Sequence, residues 1–537
     1  MQINKIRIGE KEVYPFTIPS GIVTTDVRVL LRFAENIPEL GILTTKSIGP
    51  EPRQGNREPI IAKVYPGTFI NAVGLTNPGA EKFAEQLSQI KFPEDKYLLA
   101  SVFGGDKDEF IKVAKTLEDY VDGFELNLSC PHVAGHGAAI GKDPRLVTEI
   151  TDAVVRNTNK PVFVKLTPNV DDIGVIAKAA MKGNAYGIVA INTVGPREHL
   201  FEGNPVLTNK IGGVSGKEIK DIGIKCVRDI RNIVGNNIPI IGMGGISTAE
   251  DLTRYHEAGA SVFGIGSALA GMSEREIKSY FKQIVEDLKN NTDYASKILK
   301  EVDMNYRKFK IKDKFSVADD FKILKMDNPI RAGPGQFIFT WIPGVGEKPF
   351  SVMDDNPLTI GVLERGEFTK KINSLDKSNE IYVKGPYGNV IEYPNAQDVV
   401  LVGGGSGIAG LYLIAKTLSQ YHNLKILIGA KDRGHLFYVN EFEKLGEVKI
   451  TTEDGSRGSK GRVTDLIDKS LASGSWFYNC GPEAMVRSAI SLEEQITEKE
   501  NIYSSIEFLT KCGIGICGSC SDDKGRRTCT EGTFLDY

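Results

Sequence analysis

The sequence predicts an α/β protein of several domains whose first domain is a (β/α)8 barrel, also called a TIM barrel. Three observations predict this class. The chain has 537 residues, which is more than a single hydrophobic core usually serves. Over residues 1–300, short β-branched runs alternate with helical segments. Beyond residue 396, a strand is followed by a glycine-rich turn and a helix, which is typical of a nucleotide-binding domain.

Eight strand-like runs divide the first 300 residues at the spacing of a (β/α)8 barrel. They are YPFTI, GILTTKSI, LLASVF, GFELNLS, PVFVKL, GIVAINT, IPIIGMGG and VFGIGS. Such a barrel forms its active site at the carboxyl ends of its strands, so candidate residues are sought there.

The outer helices of this barrel are predicted from apolar residues at spacings of three and four. In KEIKDIGIKCVRDIRNIV, this spacing places one face of the helix at Ile219, Ile222, Cys226, Ile230 and Ile233. Cys226 is therefore predicted to be a core residue and not a ligand.

The remaining chain is predicted to hold three further domains. Residues 290–315 are polar and charged, which marks a boundary. Residues 303–395 carry short strands separated by turns, which predicts an antiparallel β-barrel. Residues 396–500 are predicted to form an α/β nucleotide-binding domain, and residues 501–537 a small cysteine-rich domain.

Charge and hydropathy exclude two classes of partner. The formal net charge is −3, from 66 basic and 69 acidic residues, which gives no basis for nucleic-acid binding. The sequence has no apolar run of about 18 residues or more and no apolar signal region at its start. We therefore expect a cytoplasmic protein that does not bind membranes.

Four of the seven cysteines lie within the last 26 residues. Cys512, Cys517, Cys520 and Cys529 form the arrangement C-x4-C-x2-C-x8-C, whose first three members have the spacing of plant-type [2Fe–2S] ferredoxins. The surrounding glycines let backbone amides approach the sulfur atoms. A structural zinc site is the alternative, although zinc usually takes paired short spacings.

Polar residues follow several of the predicted barrel strands. Asn127 and Cys130 lie just beyond the fourth strand, so Cys130 is a candidate catalytic thiol, with a buried apolar thiol as the alternative. Lys46 and Lys165 lie at the ends of the second and fifth strands, where they are predicted to face an anion or an electron-rich ring, with a solvated surface lysine as the alternative for each. Asn192 and Thr193 end the sixth strand.

Glycine-rich turns predict phosphate sites in both halves of the chain. In the barrel they are GGVSG at 212–216, MGGI at 243–246 and GIGSA at 264–268. In the second half, VGGGSGIAG at 402–410 can hold a pyrophosphate. Cys480 follows another strand and is predicted either to adjoin a nicotinamide or to be a packed thiol. Arg433 is either a contact for a ribose phosphate, which would favour NADP, or a solvated loop residue.

With these motifs in place, the chain resembles two proteins joined end to end. Residues 1–300 resemble the catalytic subunit of class 1B dihydroorotate dehydrogenase, through TTKSIGPEPRQGN, NAVGLTNPG, NLSCP, VKLTPN, INT, GGVSG and MGGI. Residues from 303 onward resemble its ferredoxin-reductase-like electron-transfer subunit, through KPFSV, VGGGSGIAG, EDGSRGSKGRVTDLI, CGPEAM and the cysteine motif. A fusion of the two subunits would fix their stoichiometry.

The resemblance implies FMN in the barrel, FAD and NAD in the second half, and a [2Fe–2S] cluster between the flavins. Cys130 is then the base that takes a proton from C5 of dihydroorotate. The implied pyrimidine-binding residues are Lys46, Asn71, Gly74, Leu75, Asn127, Asn192 and Thr193. The implied FMN-binding residues are Ser20, Gly21, Lys46, Ser47, Asn127, Lys165, Ile191, Ser215, Gly216, Gly244, Gly245, Gly266 and Ser267.

In the second half, the resemblance implies FAD contacts at Lys348, Pro349, Phe350, Ser351 and Thr369, and dinucleotide contacts at Gly403, Gly404, Gly405 and Gly407. It also implies a homodimer formed through the barrels. The predicted function is NAD-dependent oxidation of dihydroorotate to orotate in pyrimidine biosynthesis. A non-enzymatic zinc-binding scaffold is an alternative of another class.

Three positions depart from the family pattern. His132 follows the Cys-Pro pair and Ser101 ends the third strand, and asparagine is common at both positions. Both residues, and the segment KLTPNVDDI, also resemble dihydropyrimidine dehydrogenase, so reduction of uracil or thymine is the alternative function. Lys348 replaces an arginine and lacks its bidentate fork, which predicts weaker FAD binding.

Overall fold

In the computed structural model, which describes residues 3–129, 137–506 and 509–537, the chain folds into two units. One unit comprises Met1–Val302 with Ile514–Arg526, and the other comprises Asp303–Gly513 with Arg527–Tyr537. The finer division of residues 303–537 into three domains stays a prediction.

The first unit contains a closed barrel of eight parallel strands, which confirms the predicted fold. All eight predicted runs contribute one strand each. The barrel closes where Phe16 pairs with Phe263. In chain order the strands are Phe16–Ile18, Ile42–Thr44, Tyr97–Val102, Gly123–Asn127, Val162–Leu166, Gly187–Ala190, Ile240–Met243 and Val262–Gly264.

One α-helix follows each barrel strand. Most begin at a side chain that accepts hydrogen bonds from the first turn, such as Asp26, Asp106 and Ser273. The helices are Val27–Asn36, Ala80–Ser88, Lys107–Leu117, Pro144–Arg156, Ile173–Lys182, Lys220–Val234, Ala249–Glu257 and Glu274–Asn290.

The predicted buried face of helix Lys220–Val234 is only partly right. Cys226 and Ile230 are buried, which confirms Cys226 as a core residue, but Ile222 and Ile233 are exposed. Gly223 and Val227 are buried instead, because the face that packs on the barrel is rotated toward them.

The amino-terminal end of the barrel is closed by an apolar cluster. The hairpin Ile6–Ile8 and Lys11–Val13 contributes Ile8 and Val13, which pack with Leu99, Phe163 and other inward-facing strand residues. The polar groups described below lie at the opposite, carboxyl ends of the strands.

A four-stranded antiparallel sheet, absent from the sequence prediction, is inserted at the carboxyl end of the barrel. It is built from segments that follow the second and sixth barrel strands. Its order is Val194–Glu198, Ile211–Gly216, Thr68–Asn71 and Ile61–Tyr65. Two short strands, Leu200–Phe201 and Asn204–Pro205, form a separate hairpin.

The second unit begins with a seven-stranded antiparallel sheet. The predicted antiparallel pairing is present, but the sheet has two edge strands that do not pair with each other. The barrel predicted for residues 303–395 is therefore an open sheet. The long strand Arg307–Ala318 pairs with Glu380–Tyr387 through its first part and with Phe321–Met326 through its second part. The sheet order is Gly346–Ser351, Phe337–Ile342, Glu380–Tyr387, Arg307–Ala318, Phe321–Met326, Leu358–Leu363 and Asp354–Asp355. Helix Glu367–Ser374 packs on it.

A second seven-stranded sheet follows, parallel except at its last strand. Chain order reverses at Asp398–Gly404, which gives this strand the position of a topological switch point, where such sheets bind ligands. The sheet order is Ser459–Lys460, Glu447–Thr452, Asn423–Ala430, Asp398–Gly404, Trp476–Cys480, Ile502–Ser505 and Leu535–Asp536. The helices are Ile408–Leu418, Val439–Glu443, Glu483–Glu493 and Thr528–Glu531.

Within the described ranges, none of the helices combines the length and the hydropathy needed to cross a bilayer.

Candidate active site

A buried network of polar side chains occupies the carboxyl ends of barrel strands two to five. The hydroxyl of Ser47 lies 2.9 Å from that of Ser101, which donates a 2.8 Å hydrogen bond to Glu125. The ammonium of Lys165 lies 3.4 Å from the same carboxylate. The amide of Asn127 donates to Ser47 at 3.0 Å. Four neighbouring strands therefore aim polar groups into one place.

Sequence reasoning found most of this network but missed Glu125. Glu125 lies two residues before Asn127 on strand Gly123–Asn127, so both side chains point to the same face. That alternation within GFELN was the available signal. Lys165 was predicted to face an anion, and the structure pairs it with this carboxylate.

Three further predicted residues lie in or next to the segments that carry the network. The hydroxyl of Ser20 lies 3.1 Å from that of Ser47. Gly21 has a φ of 79° and no atom near the position of a Cβ, so its backbone faces open space. Lys46 is half-buried directly before Ser47.

The predicted pyrimidine-binding residues converge on Gly213 of the inserted sheet. Asn71 donates a 3.4 Å hydrogen bond to the carbonyl oxygen of Gly213, and a Cβ at Gly213 would lie 2.1 Å from the hydroxyl of Thr193. Asn192 accepts a hydrogen bond from the backbone of Thr193 and reaches Asn127 at 3.5 Å. The sheet therefore brings together residues that are far apart in sequence.

Gly74 and Leu75 lie in the loop after Asn71, with φ values of 82° and 54°. A Cβ at Gly74 would lie 2.6 Å from the backbone nitrogen of Asn56, so Gly74 packs closely on that residue. Cys130 and His132 lie outside the described residues, so the assignment of Cys130 as a base stays a prediction.

The three glycine turns predicted to bind phosphate come together. A Cβ at Gly245 would lie 2.6 Å from the carbonyl oxygen of Gly216, and a Cβ at Gly216 would lie 3.2 Å from the hydroxyl of Ser267. Gly244 adjoins Ile191, whose Cγ1 would lie 3.5 Å from a Cβ there. Ser215 precedes Gly216 in its strand, and Gly266 precedes Ser267. These close approaches require residues without side chains.

Beside these turns lies a cavity of about 450 Å³, lined by Gly245, Ser247 and Ser267 together with Lys217 and Lys220. Sequence reasoning missed both lysines, although Lys217 directly follows the motif GGVSG and Lys220 lies three residues further on. Lys220 is anchored by a 2.6 Å ion pair to Asp251. Backbone amides, hydroxyls and ammonium groups are the partners that a phosphate requires.

In the second unit, the glycine run 403–407 connects strand Asp398–Gly404 to helix Ile408–Leu418, as predicted. A Cβ at Gly407 would lie 2.3 Å from the carbonyl oxygen of Cys480. A Cβ at Gly404 would lie 2.3 Å from the sulfur of Met485, whereas the nearest atom to a Cβ at Gly403 would be 3.0 Å away. Gly405 has a φ of 54° and open space around it.

Helix Ile408–Leu418 also brings Cys480 close to Ser351. A Cβ at Gly410 would lie 3.1 Å from the sulfur of Cys480 and 3.6 Å from the hydroxyl of Ser351. Ser351 ends the strand that carries Lys348, Pro349 and Phe350. The predicted flavin and nicotinamide residues therefore meet at one glycine.

The structure gives Thr369 and Arg433 other surroundings. The Thr369 hydroxyl accepts from the backbone N–H of Arg365 at 2.8 Å and that of Gly366 at 3.0 Å, so it caps helix Glu367–Ser374. Arg433 is exposed at the start of a short 3-10 turn. Both assignments as ligand contacts stay predictions.

All four cysteines of the C-terminal motif are buried, with exposures of 1–5%. Within the first unit, Val23 donates to the carbonyl oxygen of Ile516 at 2.7 Å and Thr25 to that of Cys517 at 3.0 Å. This packing fixes the middle of the motif against the loop that follows Ser20 and Gly21. Over the described residues, no three His, Cys, Asp or Glu side chains surround a single metal position.

Asp522 organises the segment between Cys520 and Cys529. It is fully buried and accepts hydrogen bonds from the backbone N–H groups of Lys524 and Arg526, at 3.0 and 2.7 Å. The Arg526 side chain donates to its other oxygen at 2.7 Å.

A (β/α)8 barrel with this polar mouth, in one chain with a dinucleotide-binding type of sheet, defines a multidomain oxidoreductase of the barrel class. The chain belongs to the dihydroorotate dehydrogenase family, whose model matches residues 8–291, just over half of the chain. A second family model, for the oxidoreductase NAD-binding domain, matches residues 401–490.

Two relatives support the family assignment, and one solved structure is also similar to part of the chain. The chain is 43% identical over 279 residues to the catalytic subunit of dihydroorotate dehydrogenase B (NAD(+)) from Methanocaldococcus jannaschii, covering 51% of this chain and 90% of the relative. The corresponding subunit from Methanosarcina mazei is 44% identical over 263 residues, covering 49% and 82%. A solved structure of NADH-dependent reduced ferredoxin–NADP oxidoreductase, described in terms of flavin-based electron bifurcation, covers 42% of this chain and 87% of its own, with 29% identity and a TM-score of 0.39.

Proposed function

We propose that this chain oxidises dihydroorotate to orotate and passes the electrons to NAD+ through FMN, a [2Fe–2S] cluster and FAD. The observation that carries the proposal is that one chain combines the polar barrel mouth of a dihydroorotate dehydrogenase with an NAD-binding sheet. The relatives named above are catalytic subunits only, so the second half of this chain would supply the acceptor side.

The barrel fits FMN by the chemistry of its donors. The turns at Gly216, Gly245 and Ser267 form a cradle that side chains would fill, next to the cavity with Lys217 and Lys220. Lys165 would stabilise negative charge on the flavin ring. When bound, FMN supplies the acceptor for the hydride that leaves C6 of dihydroorotate.

The chain's own residues would bind and deprotonate the substrate. Asn71, Asn127, Asn192 and Thr193 would hold the pyrimidine through their amides and hydroxyl. Cys130 would take the proton from C5, because a carbon acid next to a carbonyl needs a base within hydrogen-bond reach. Proton and hydride together account for the two hydrogens that dihydroorotate loses.

The second unit fits FAD and NAD at the place where Ser351 and Cys480 meet. Gly410 leaves room there that a side chain would fill, and the strand with Lys348 and Phe350 leads into it. Lys348 keeps the positive charge that an FAD pyrophosphate needs but offers no bidentate fork.

The four cysteines of the C-terminal motif fit a [2Fe–2S] cluster by number, spacing and ligand type. Each iron of such a cluster takes only two of the four thiolates, so a group of three around one ion is not required. A zinc site would draw all four sulfurs around one ion.

The structure does not strengthen the alternative reaction on uracil or thymine. Ser101, one of the two residues that suggested it, is fully buried and donates its hydroxyl proton to Glu125. It therefore has no proton left to offer a pyrimidine.

The decisive experiment combines cofactor analysis with two assays on the intact protein. Extraction is expected to yield FMN, FAD and two irons per chain, in keeping with four cysteine ligands. Dihydroorotate should reduce NAD+, whereas NADH should not reduce uracil. No turnover of dihydroorotate with any nicotinamide acceptor would remove the proposal, and uracil turnover would establish the alternative. A cytoplasmic location and a homodimer through the barrels remain predictions.

A further inference from the structure

The hydroxyl network at the barrel mouth ends on a carboxylate that the proposed reaction does not use. Glu125 is 1% exposed, and its oxygen Oε1 accepts from Ser101 at 2.8 Å and faces the Lys165 ammonium at 3.4 Å. A charged group buried this deeply is costly unless it is paired, so its position requires an explanation.

The direction of the hydrogen bonds identifies Glu125 as the terminal acceptor of the network. Each serine hydroxyl has one proton to donate, and an ionised carboxylate only accepts. Since the Ser101 hydroxyl donates to Glu125, the oxygen of that hydroxyl must accept a hydrogen bond from the hydroxyl of Ser47. Ser47 must then accept from Ser20 and from the amide of Asn127. The Glu125 carboxylate therefore orients every group in this series of hydrogen bonds.

The same carboxylate also anchors Lys165. The ammonium is 6% exposed and lies on the neighbouring strand, where Asn127 pairs with Lys165 in register. An unpaired ammonium at this depth would present its full positive charge to the barrel mouth. With Glu125 beside it, much of that charge is balanced.

We propose that Glu125 is a positioning residue that sets how much positive charge Lys165 presents to the bound flavin. The same carboxylate orients the hydrogen-bonded hydroxyls of Ser101 and Ser47. The inference deepens the proposed function and rests on FMN being bound in the barrel. It also accounts for Ser101, which acts on the site through Glu125 and not by contact with the pyrimidine.

The test is a sulfite titration of the flavin-loaded protein, in which the loss of flavin absorbance measures how much sulfite has bound. Sulfite adds to oxidised flavin and leaves negative charge on the ring, so its dissociation constant reports the positive charge nearby. Lys165→Met is expected to weaken sulfite binding about tenfold and so identifies the FMN phase. Glu125→Gln, which has the same shape without the charge, should tighten it about tenfold.

The double variant decides whether Glu125 acts through Lys165. With both substitutions, the dissociation constant should equal that of Lys165→Met alone. An unchanged or weakened affinity in Glu125→Gln, or the same tightening in the Lys165→Met background, would overturn the inference. A role in stability alone would not produce opposite signs in the two single variants.

A substitute variant and the flavin content of the protein complete the test. If Glu125→Gln does not fold, Ser101→Ala serves instead. Without the hydrogen bond from Ser101, the carboxylate charge of Glu125 acts more strongly on Lys165, so sulfite should bind about threefold more weakly. This weakening should be absent in the Lys165→Met background. A protein without FMN would overturn the proposed function itself, whereas a flavin-loaded protein without these shifts would overturn only the role of Glu125.

Discussion

The side-chain amide of Asn479 donates a 2.7 Å hydrogen bond to the carboxyl group of Glu493, which is fully buried beneath the NAD-binding sheet. Burial raises the pKa of Glu493 to about 8, and the bond from Asn479 offsets only part of this rise. Asn479 directly precedes Cys480, so the pair supports the strand end at the candidate nicotinamide site.

This pair predicts a pH dependence of stability. The folded chain keeps the Glu493 proton up to about pH 8, while the unfolded chain releases it near the ordinary value of 4.5. Stability should therefore be greatest below pH 4.5 for this group and fall as the pH rises to about 8, by about 1.4 kcal/mol per pH unit at most. Glu493→Gln should flatten that slope in calorimetric scans, whereas the exposed Glu498→Gln should not. Equal slopes in both variants would contradict the assignment.

Gly407→Ala is expected to impair the dinucleotide side alone. Its Cβ would lie 2.3 Å from the carbonyl oxygen of Cys480, so the glycine turn must move away from the strand. The KM for NADH should rise about tenfold or more, a loss of about 1.4 kcal/mol of binding. The neighbouring exposed Ser406→Ala is the matched control. Flavin reduction by dihydroorotate should stay normal in both, and its loss would contradict the prediction.

Cys130→Ser should separate the two half-reactions. A hydroxyl is a much weaker base than a thiolate, so flavin reduction by dihydroorotate should slow by about 100-fold or more. Reduction of FAD by NADH should remain nearly intact. Stopped-flow absorbance measures both steps, and Cys226→Ser, a buried residue of helix Lys220–Val234, controls for loss of a thiol. Equal slowing of both half-reactions would remove Cys130 as the base.

Cys517→Ala should interrupt electron transfer between the flavins without abolishing substrate binding. The loss of one thiolate ligand is expected to lower the iron content and remove the cluster's absorption. Each flavin should still be reduced by its own substrate, while dihydroorotate no longer reduces NAD+. Cys226→Ala should keep iron and turnover. Full iron content in Cys517→Ala would show that this cysteine is not a ligand.

Asp522→Ala should destabilise the segment between Cys520 and Cys529, so that the cluster is lost more easily. The substitution removes a fully buried carboxylate with its three hydrogen bonds and breaks its ion pair with the buried Arg526, at a cost of about 3 to 5 kcal/mol. We expect faster loss of iron to a chelator, measured by the decay of visible absorption. The adjacent and mostly exposed Asp523→Ala, which loses one surface ion pair to Arg28, should behave like the parent protein.

Local patterns predicted the parts of the fold that depend on neighbouring residues. Eight strand-like runs became the eight barrel strands, and the glycine run at 403–407 became a turn between strand and helix. The inserted sheet was missed, because Thr68–Asn71 and Ile211–Gly216 pair across the chain and neither segment is distinctive alone. The predicted β-barrel is an open sheet in its hydrogen-bonded order, which the local strand pattern does not specify because each edge depends on pairing between distant segments.

The sequence alone determined which chemistries the chain can offer: a thiol after a barrel strand, glycine turns for phosphate, and four cysteines at ferredoxin spacing. Which charges share a buried space followed from the three-dimensional fold, which places Glu125 beside Lys165, 40 residues later in the chain. The reason is physical: spacing along a strand or helix fixes where a side chain points, whereas the energy of a charge depends on neighbours that only folding supplies.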